Sequence, residues 1–122
     1  MKWYFAINER GLTIQENKEL ITASVNSCLA NTNLRPHCLY SGGNENDILF
    51  LESLGVNVIR HTPVLEAELK EGYGDLYKTF DGHWLRCDLP LIEDDEEVLY
   101  TDTDIIFLKS PDLSILPNPK YF

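Results

Sequence analysis

The sequence predicts an α/β protein with a mostly parallel sheet and helices on both faces. Two observations carry that expectation. Short apolar runs rich in aromatic and β-branched residues alternate with stretches of helical periodicity, which is how successive βαβ units read. Each run ends in polar or glycine-bearing residues, the form that the carboxyl ends of such strands take. A third, weaker observation is size: 122 residues with 43% hydrophobic content suit one folded domain over residues 1–122 rather than a disordered chain.

Trp3 to Ile7 is the first expected strand, closed by Asn8-Glu9-Arg10-Gly11 as a loop. A helix follows, with Ile21, Val25, Cys28 and Leu29 at helical spacing and Asn17 as its cap. His37 to Tyr40 reads as the second strand and Ser41-Gly42-Gly43-Asn44 as a turn. Asp47 to Leu54 reads as a short helix closed by Gly55 in a left-handed conformation. Val56 to Ile59 is the third strand, Val64 to Glu71 one or two helical turns, and Gly72-Tyr73-Gly74 a break. Gly82 to Ile92 reads as one helix with Leu85, Leu89 and Ile92 on a face, its last turn disturbed by Pro90. Glu97 to Thr101 is the fourth strand, Ile105 to Leu108 a further extended apolar piece, and Ser110 through Pro119 loop.

The net charge of -10, from 20 acidic and 10 basic residues, argues against nucleic-acid binding through a broad basic surface. Part of that charge lies in Glu93-Asp94-Asp95-Glu96-Glu97, read as a solvated loop. Three widely spaced cysteines, Cys28, Cys38 and Cys87, suggest neither a disulfide framework nor a zinc site. Cys28 and Cys38 sit among apolar neighbours as core residues, and a reducing, cytoplasmic setting is expected. No apolar run reaches the roughly 20 residues that span a bilayer, so no transmembrane segment is expected. The first eight residues lack the layout of a signal peptide.

The chemistry concentrates in Glu97-Val98-Leu99-Tyr100-Thr101-Asp102-Thr103-Asp104-Ile105-Ile106. An apolar strand runs directly into two carboxylates one residue apart. If the extended geometry continues, Asp102 and Asp104 point to one side and Thr103 to the other. Like charges so close repel, and a hard divalent cation, Mg²⁺ or Mn²⁺, relieves them while leaving positions for diphosphate oxygens. The same pair also suits an ordinary turn after a strand. On the preceding helix His83 and Arg86 share a face opposite the leucine stripe. Arg86 can bind a phosphate bidentately or lie on the surface against Asp81 or Asp88. His83 equally suits a solvated histidine, and Trp84 a core residue.

Taken together, Gly82-His83-Trp84-Leu85-Arg86-Cys87-Asp88-Leu89-Pro90, the acidic loop, and Val98-Leu99-Tyr100-Thr101-Asp102-Thr103-Asp104-Ile105-Ile106-Phe107 resemble glycosyltransferases of the Rossmann-like GT-A fold, most closely family 8 and related DxD sugar-binding families. The likeness covers Gly82 to Asp112; over residues 1–81 it is one of topology. It implies a nucleotide-diphosphate sugar, often a UDP-sugar, as donor, a hydroxyl acceptor and usually Mn²⁺. Asp102 and Asp104 would hold metal and diphosphate, with Thr103 between them. Ala6, Ile7 and Asn8 would face the base, and Arg86 the donor sugar or phosphates. His83 would line the cleft on the acceptor side. Enzymes of this kind are longer, with the acceptor site and a later histidine metal ligand after the DxD strand. The chain is thus expected to be an N-terminal donor domain, truncated after that strand and incomplete by itself. The alternatives are a nucleotidyltransferase, for which Asn8-Glu9-Arg10-Gly11-Leu12 lacks a glycine-rich loop, and a non-catalytic nucleotide- or metal-binding domain.

Overall fold

A computed structural model of the chain describes residues 1–94, 97–112 and 114. Four strands, β1 (Lys2–Asn8), β2 (Arg35–Ser41), β3 (Asn57–Arg60) and β4 (Val98–Tyr100), form one sheet in the order β3-β2-β1-β4. All three pairings are parallel, with Asn8 opposite Ser41 and Tyr4 opposite Tyr100. The helices are α1 (Glu9–Leu12), α2 (Gln15–Asn31), α3 (Glu45–Ser53), α4 (Glu66–Tyr73), α5 (Tyr77–Phe80) and α6 (Leu89–Ile92), with 3₁₀ segments at Gly74–Leu76 and Asp81–Asp88.

Strand alternation explains the two-sided core. Trp3, Phe5 and Ile7 of β1, with Cys38 and Tyr40 of β2, join Ile21, Val25 and Cys28 of α2 and Ile48 and Leu51 of α3 on one face. Tyr4 and Leu39 meet Leu85, Leu89 and Ile92 on the other. A helix as polar as α2 is marginal alone. Its buried Ile21, Val25 and Cys28 row, three residues fully enclosed, is what holds it. Cys28 and Cys38 are core residues as expected, while Cys87 is exposed. No helix among the described residues is long and apolar enough to cross a membrane.

Several local expectations change. Asn8-Glu9-Arg10-Gly11 is not an open loop: Asn8 Oδ1 accepts from Gly11 N at 2.7 Å and caps α1. Asn17 is not the cap of α2. Ile14 occupies that position, and the Asn17 amide donates to Gly11 O at 2.9 Å, tying α2 to α1. Glu93 is not solvated. Its carboxylate, 7% exposed, is held by Lys2 Nζ at 2.9 Å and by the Tyr4 hydroxyl at the amino end of the sheet. Asp95 and Glu96 of that acidic run, and Pro117-Asn118-Pro119, lie outside the described residues. Gly55 takes the left-handed conformation, φ 95°.

The largest change is in the segment read as one helix over 82–92. It is 3₁₀ from Asp81 to Asp88 and α-helical only from Leu89, with Pro90 in the first turn of α6. Proline there has no N–H for a carbonyl of the preceding turn, so an unbroken α-helix loses a bond at that point, whereas a helix start loses none. A 3₁₀ segment stacks residues three apart. The row Gly82, Leu85, Asp88 accordingly lies against the sheet. Leu85 and Asp88 are buried, and a Cβ on Gly82 would meet Asn8 Cγ at 3.1 Å. Trp84, read as core, is only half-buried and donates to the Tyr73 hydroxyl at 3.4 Å.

The strand that carries the two aspartates is short. After Tyr100 the chain leaves the sheet, with Thr101 N donating to Tyr4 O at 3.1 Å. Trp3 Nε1, from a fully buried indole, donates to Thr101 Oγ1 at 2.8 Å. Extended geometry does not continue through Asp104, because the backbone bends at Thr103 and Asp104. Ile105 to Leu108 forms no strand. Its inward residues still pack on the core, with the Phe107 ring edge-on to Trp3 at 4.9 Å, while Ile106 and Leu108 are exposed.

Trp3→Phe removes the indole N–H from Thr101 and leaves a small void beneath Phe107. Chemical denaturation should show a loss of about 1–3 kcal/mol; a change below about 0.5 kcal/mol would show that the Trp3–Thr101 tie contributes little.

Candidate active site

The sheet order makes β1 the point where the chain reverses its direction of progress: β2 and β3 lie to one side and β4 to the other. In open α/β sheets ligands bind at the carboxyl end of such a switch point. Here β4 pairs only with Lys2 to Tyr4. Met1 O accepts from Arg35 N and Tyr4 O from Thr101 N. By alternation the backbone N–H and C=O of Ala6 therefore face the β4 side, where no strand continues. The outer edge of β1 from Ala6 to Asn8 opens into a cleft of about 560 Å³.

That cleft gathers Ala6, Ile7, Asn8, His83, Arg86, Asp102, Thr103 and Asp104, residues far apart in sequence. Ala6 and Ile7 contribute from β1. Asn8 lines the wall, but its side chain is fully engaged: the oxygen caps α1, and the amide donates to Asp81 Oδ1 at 2.8 Å and to the carbonyls of Lys78 and Thr79. His83 and Arg86 lie three apart on the 3₁₀ row that faces the cleft; both are exposed. The surface partners that Arg86 might have taken are occupied elsewhere. Asp81 Oδ2 accepts from Ser41 Oγ at 2.6 Å, and Asp88 Oδ2 meets His61 Nε2 at 2.9 Å and Val64 N at 2.8 Å. Arg86 keeps its guanidinium free of ion pairs among the described residues.

Asp102 and Asp104 are exposed, and neither carboxylate receives a hydrogen bond from a described residue. Their backbone is nevertheless fixed on both sides. Upstream, Thr101 Oγ1, held by Trp3, donates to Asp102 O at 2.8 Å. Downstream, Phe107 N donates to Ser27 Oγ at 2.9 Å and Phe107 O accepts from Asn31 Nδ2 at 2.8 Å. Thr103 also reaches the apolar gap beside Trp3, Phe5, Ile21 and Ser24.

Other lining residues carry no motif. Arg10 and Gly11 come from α1, Thr79 from α5, and Ile14, Asn17 and Leu20 from the start of α2. Ile14 and Leu20 are exposed apolar side chains at the rim. A lone apolar residue on a polar helix face gives no signal until the fold sets it beside a cleft. Tyr100 also lines the site, and its phenol titrates above the usual tyrosine value. Burial is the main cause; Arg86 opposes the rise and Asp102 adds to it.

The oxygen-only pair Asp102 and Asp104 suits a hard divalent cation by donor type. No group of three or more His, Cys, Asp or Glu among the described residues is arranged to hold a metal. The pair therefore fits an ion whose remaining positions are filled by ligand oxygens, water or groups outside this set.

No family model and no curated protein sequence matches the chain. A solved crystal structure of an active-site mutant of LgtC, a glycosyltransferase, does match, with a TM-score of 0.55 and 23% identity, covering 95% of this chain and 41% of that one. At this identity the likeness is one of fold: the four-stranded parallel sheet with its helices is α/β and Rossmann-like, as in that neighbour. The chain spans 41% of the length of that solved chain.

Asn8→Ala would uncap α1 and leave a buried Asp81 oxygen without its donor. Together these should cost about 2–4 kcal/mol in urea unfolding; a loss under about 1 kcal/mol would mean that the network is dispensable.

Proposed function

We propose that the chain is the donor-binding part of a metal-dependent glycosyltransferase that moves a sugar from a nucleotide-diphosphate sugar, a UDP-sugar in the first instance, to an acceptor hydroxyl. The observation that supports this most is the convergence in one switch-point cleft of three features: an unpaired strand edge, a free guanidinium, and two carboxylates held without protein donors. The likeness in fold to a glycosyltransferase and the family 8 pattern of the segment from Gly82 agree with it.

In this reading each part has a separate task. The open edge of β1 at Ala6 offers a backbone donor and acceptor to the base. Ile7 and Asn8 shape the wall beside it, with Asn8 holding α1 in place. Arg86 binds the diphosphate or the donor sugar bidentately. Asp102 and Asp104 would hold Mn²⁺ or Mg²⁺, and Thr103 sets their spacing. When bound, the ion supplies charge neutralisation at the departing diphosphate. The acceptor hydroxyl oxygen forms the new bond to the anomeric carbon, the bond from that carbon to the diphosphate oxygen breaks, and the hydroxyl proton leaves with the diphosphate; His83 borders the cleft. The backbone around Asp102 is anchored on both sides and so requires little reorganisation as charge develops, which is the physical source of such stabilisation.

The test is ligand-dependent stability. Mn²⁺ with UDP, each at about 100 times its dissociation constant, should raise Tm by about 5 °C or more. UDP without metal should do less, and Asp102→Asn should abolish the shift. A folded sample unmoved by any nucleoside diphosphate would refute the proposal. Arg86→Gln should leave the ligand-free Tm unchanged and weaken UDP about 10–100-fold by calorimetry; equal affinity would remove Arg86 from the donor site.

A further inference from the structure

A second cleft, of about 710 Å³, opens beyond the carboxyl ends of β1 and β2. It is balanced in charge, with Glu9, Glu66 and Asp81 against Arg10, Lys70 and Lys78, and its Thr13 and Ser41 hydroxyls are already engaged. The unmet polar group of the molecule lies on α2. Among the described residues one buried side-chain oxygen or nitrogen lacks a hydrogen-bond partner, and it is Ser24 Oγ. Ser24 is 1% exposed in the otherwise apolar row of Ile21, Val25 and Cys28. It borders the gap beside Trp3, Phe5, Ile21 and Thr103, which has no room for a water-sized sphere. Water therefore cannot satisfy it. A buried hydroxyl left unpaired costs stability that alanine in its place would not. Thr103 brings the second hydroxyl to this gap, and it too makes no hydrogen bond with a described residue.

α2 already presents a polar stripe to the chain that follows β4. Ser24, Ser27 and Asn31 stand at i, i+3 and i+7, on one face of the helix. Ser27 Oγ accepts from Phe107 N, and Asn31 Nδ2 donates to Phe107 O. Ser24 comes one turn earlier, beside Thr103, and its bond is the one not made. Upstream, Leu99 packs on the α2 side of the sheet and Thr101 is held there by Trp3. The backbone then bends at Thr103 and Asp104. Were it to run on extended, alternation would bring Thr103 to the α2 side after Leu99 and Thr101. Asp102 and Asp104 would both turn to the opposite side, where Tyr100 packs. Without a cation that arrangement brings like charges together. With a cation it gathers two ligands.

We propose that Ser24 is a positioning residue for the Asp102–Asp104 pair: occupancy of the pair extends the chain at Thr103, whose hydroxyl then bonds Ser24 Oγ and locks both carboxylates on one side. This rests on the reading of the pair as a cation and diphosphate site. Coupling of this kind is reciprocal, so losing the Ser24–Thr103 bond weakens the ligand and not the free fold. The experiment is calorimetry of the full chain with UDP in excess Mg²⁺, beside urea unfolding without ligand, for Ser24→Ala, Thr103→Val and the pair. Ser24→Ala should unfold at an equal or higher urea concentration, because it removes an unpaired hydroxyl and alanine is the better helix former. It should nevertheless bind UDP about 3–10-fold more weakly. Thr103→Val should weaken UDP similarly, and the double variant no more than either single one. Thr103→Ser, which keeps the hydroxyl, should bind more tightly than Thr103→Val. The proposal is overturned if Ser24→Ala binds UDP like wild type, the result expected where the hydroxyl simply turns to the Leu20 carbonyl. It is also overturned if Ser24→Ala unfolds at clearly lower urea, which would place the bond in the free chain, or if the losses in the double variant add. A wild-type chain that does not bind UDP with Mg²⁺ removes the donor reading and this inference together. Tight binding that Ser24→Ala leaves untouched removes this inference alone.

Discussion

Asp81 lies 5% exposed beneath the carboxyl ends of the strands, and both of its oxygens are used. One accepts from Asn8 at the end of β1, the other from Ser41 at the end of β2. A buried carboxylate is tolerated only when it is hydrogen-bonded, so the three residues form or fail together. Asn8 in turn caps α1 and ties down the carbonyls of Lys78 and Thr79. Through this one carboxylate the two central strands, the first helix and the start of the 3₁₀ segment are fixed to one another. Both clefts are built on that junction: Asn8 is a wall of each.

Rigidity around Asp102 and Asp104 comes from a different source. Asp102 and Asp104 are exposed and free to meet a ligand, yet the chain on either side is anchored to the core face of the sheet. Trp3 holds Thr101, and Ser27 and Asn31 of α2 hold Phe107. A loop positioned by a buried scaffold at both ends is how a fold presents reactive groups without disordering them. Trp3 has a double part here, since its ring also carries the Phe107 edge contact.

The carboxyl end of the sheet gathers cations that lack acidic partners among the described residues. The excess of acids keeps the chain as a whole repulsive to anions. Arg86 in one cleft, Lys78 in the other and Arg10 between them remain without acidic partners among the described residues. Tyr100, whose phenol burial pushes further above its usual titration range, is a neutral lining group of the first cleft. Each cleft is lined by as many basic as acidic residues, so the acidic excess of the chain lies elsewhere.

The sequence by itself determined the layers and the Asp102–Asp104 signal. Alternating apolar runs and helical spacings encode local periodicity, and burial on both faces follows from it. Trp3 to Ile7 and His37 to Tyr40 thus read correctly as strands, and Gly55 as a helix end. Tertiary structure alone decided the rest, because it depends on partners distant in the chain. The helix read over 82–92 became 3₁₀ because Gly82 must pack on Asn8 and Pro90 cannot serve a continuous α-helix. Glu93 left the solvated loop because Lys2 and Tyr4 reach it across the amino end of the sheet. Asn8 proved to be a cap because Asp81 and Gly11 meet it. The clefts exist because β4 stops opposite Tyr4 while β1 runs on to Asn8, a difference in strand length that no local pattern records.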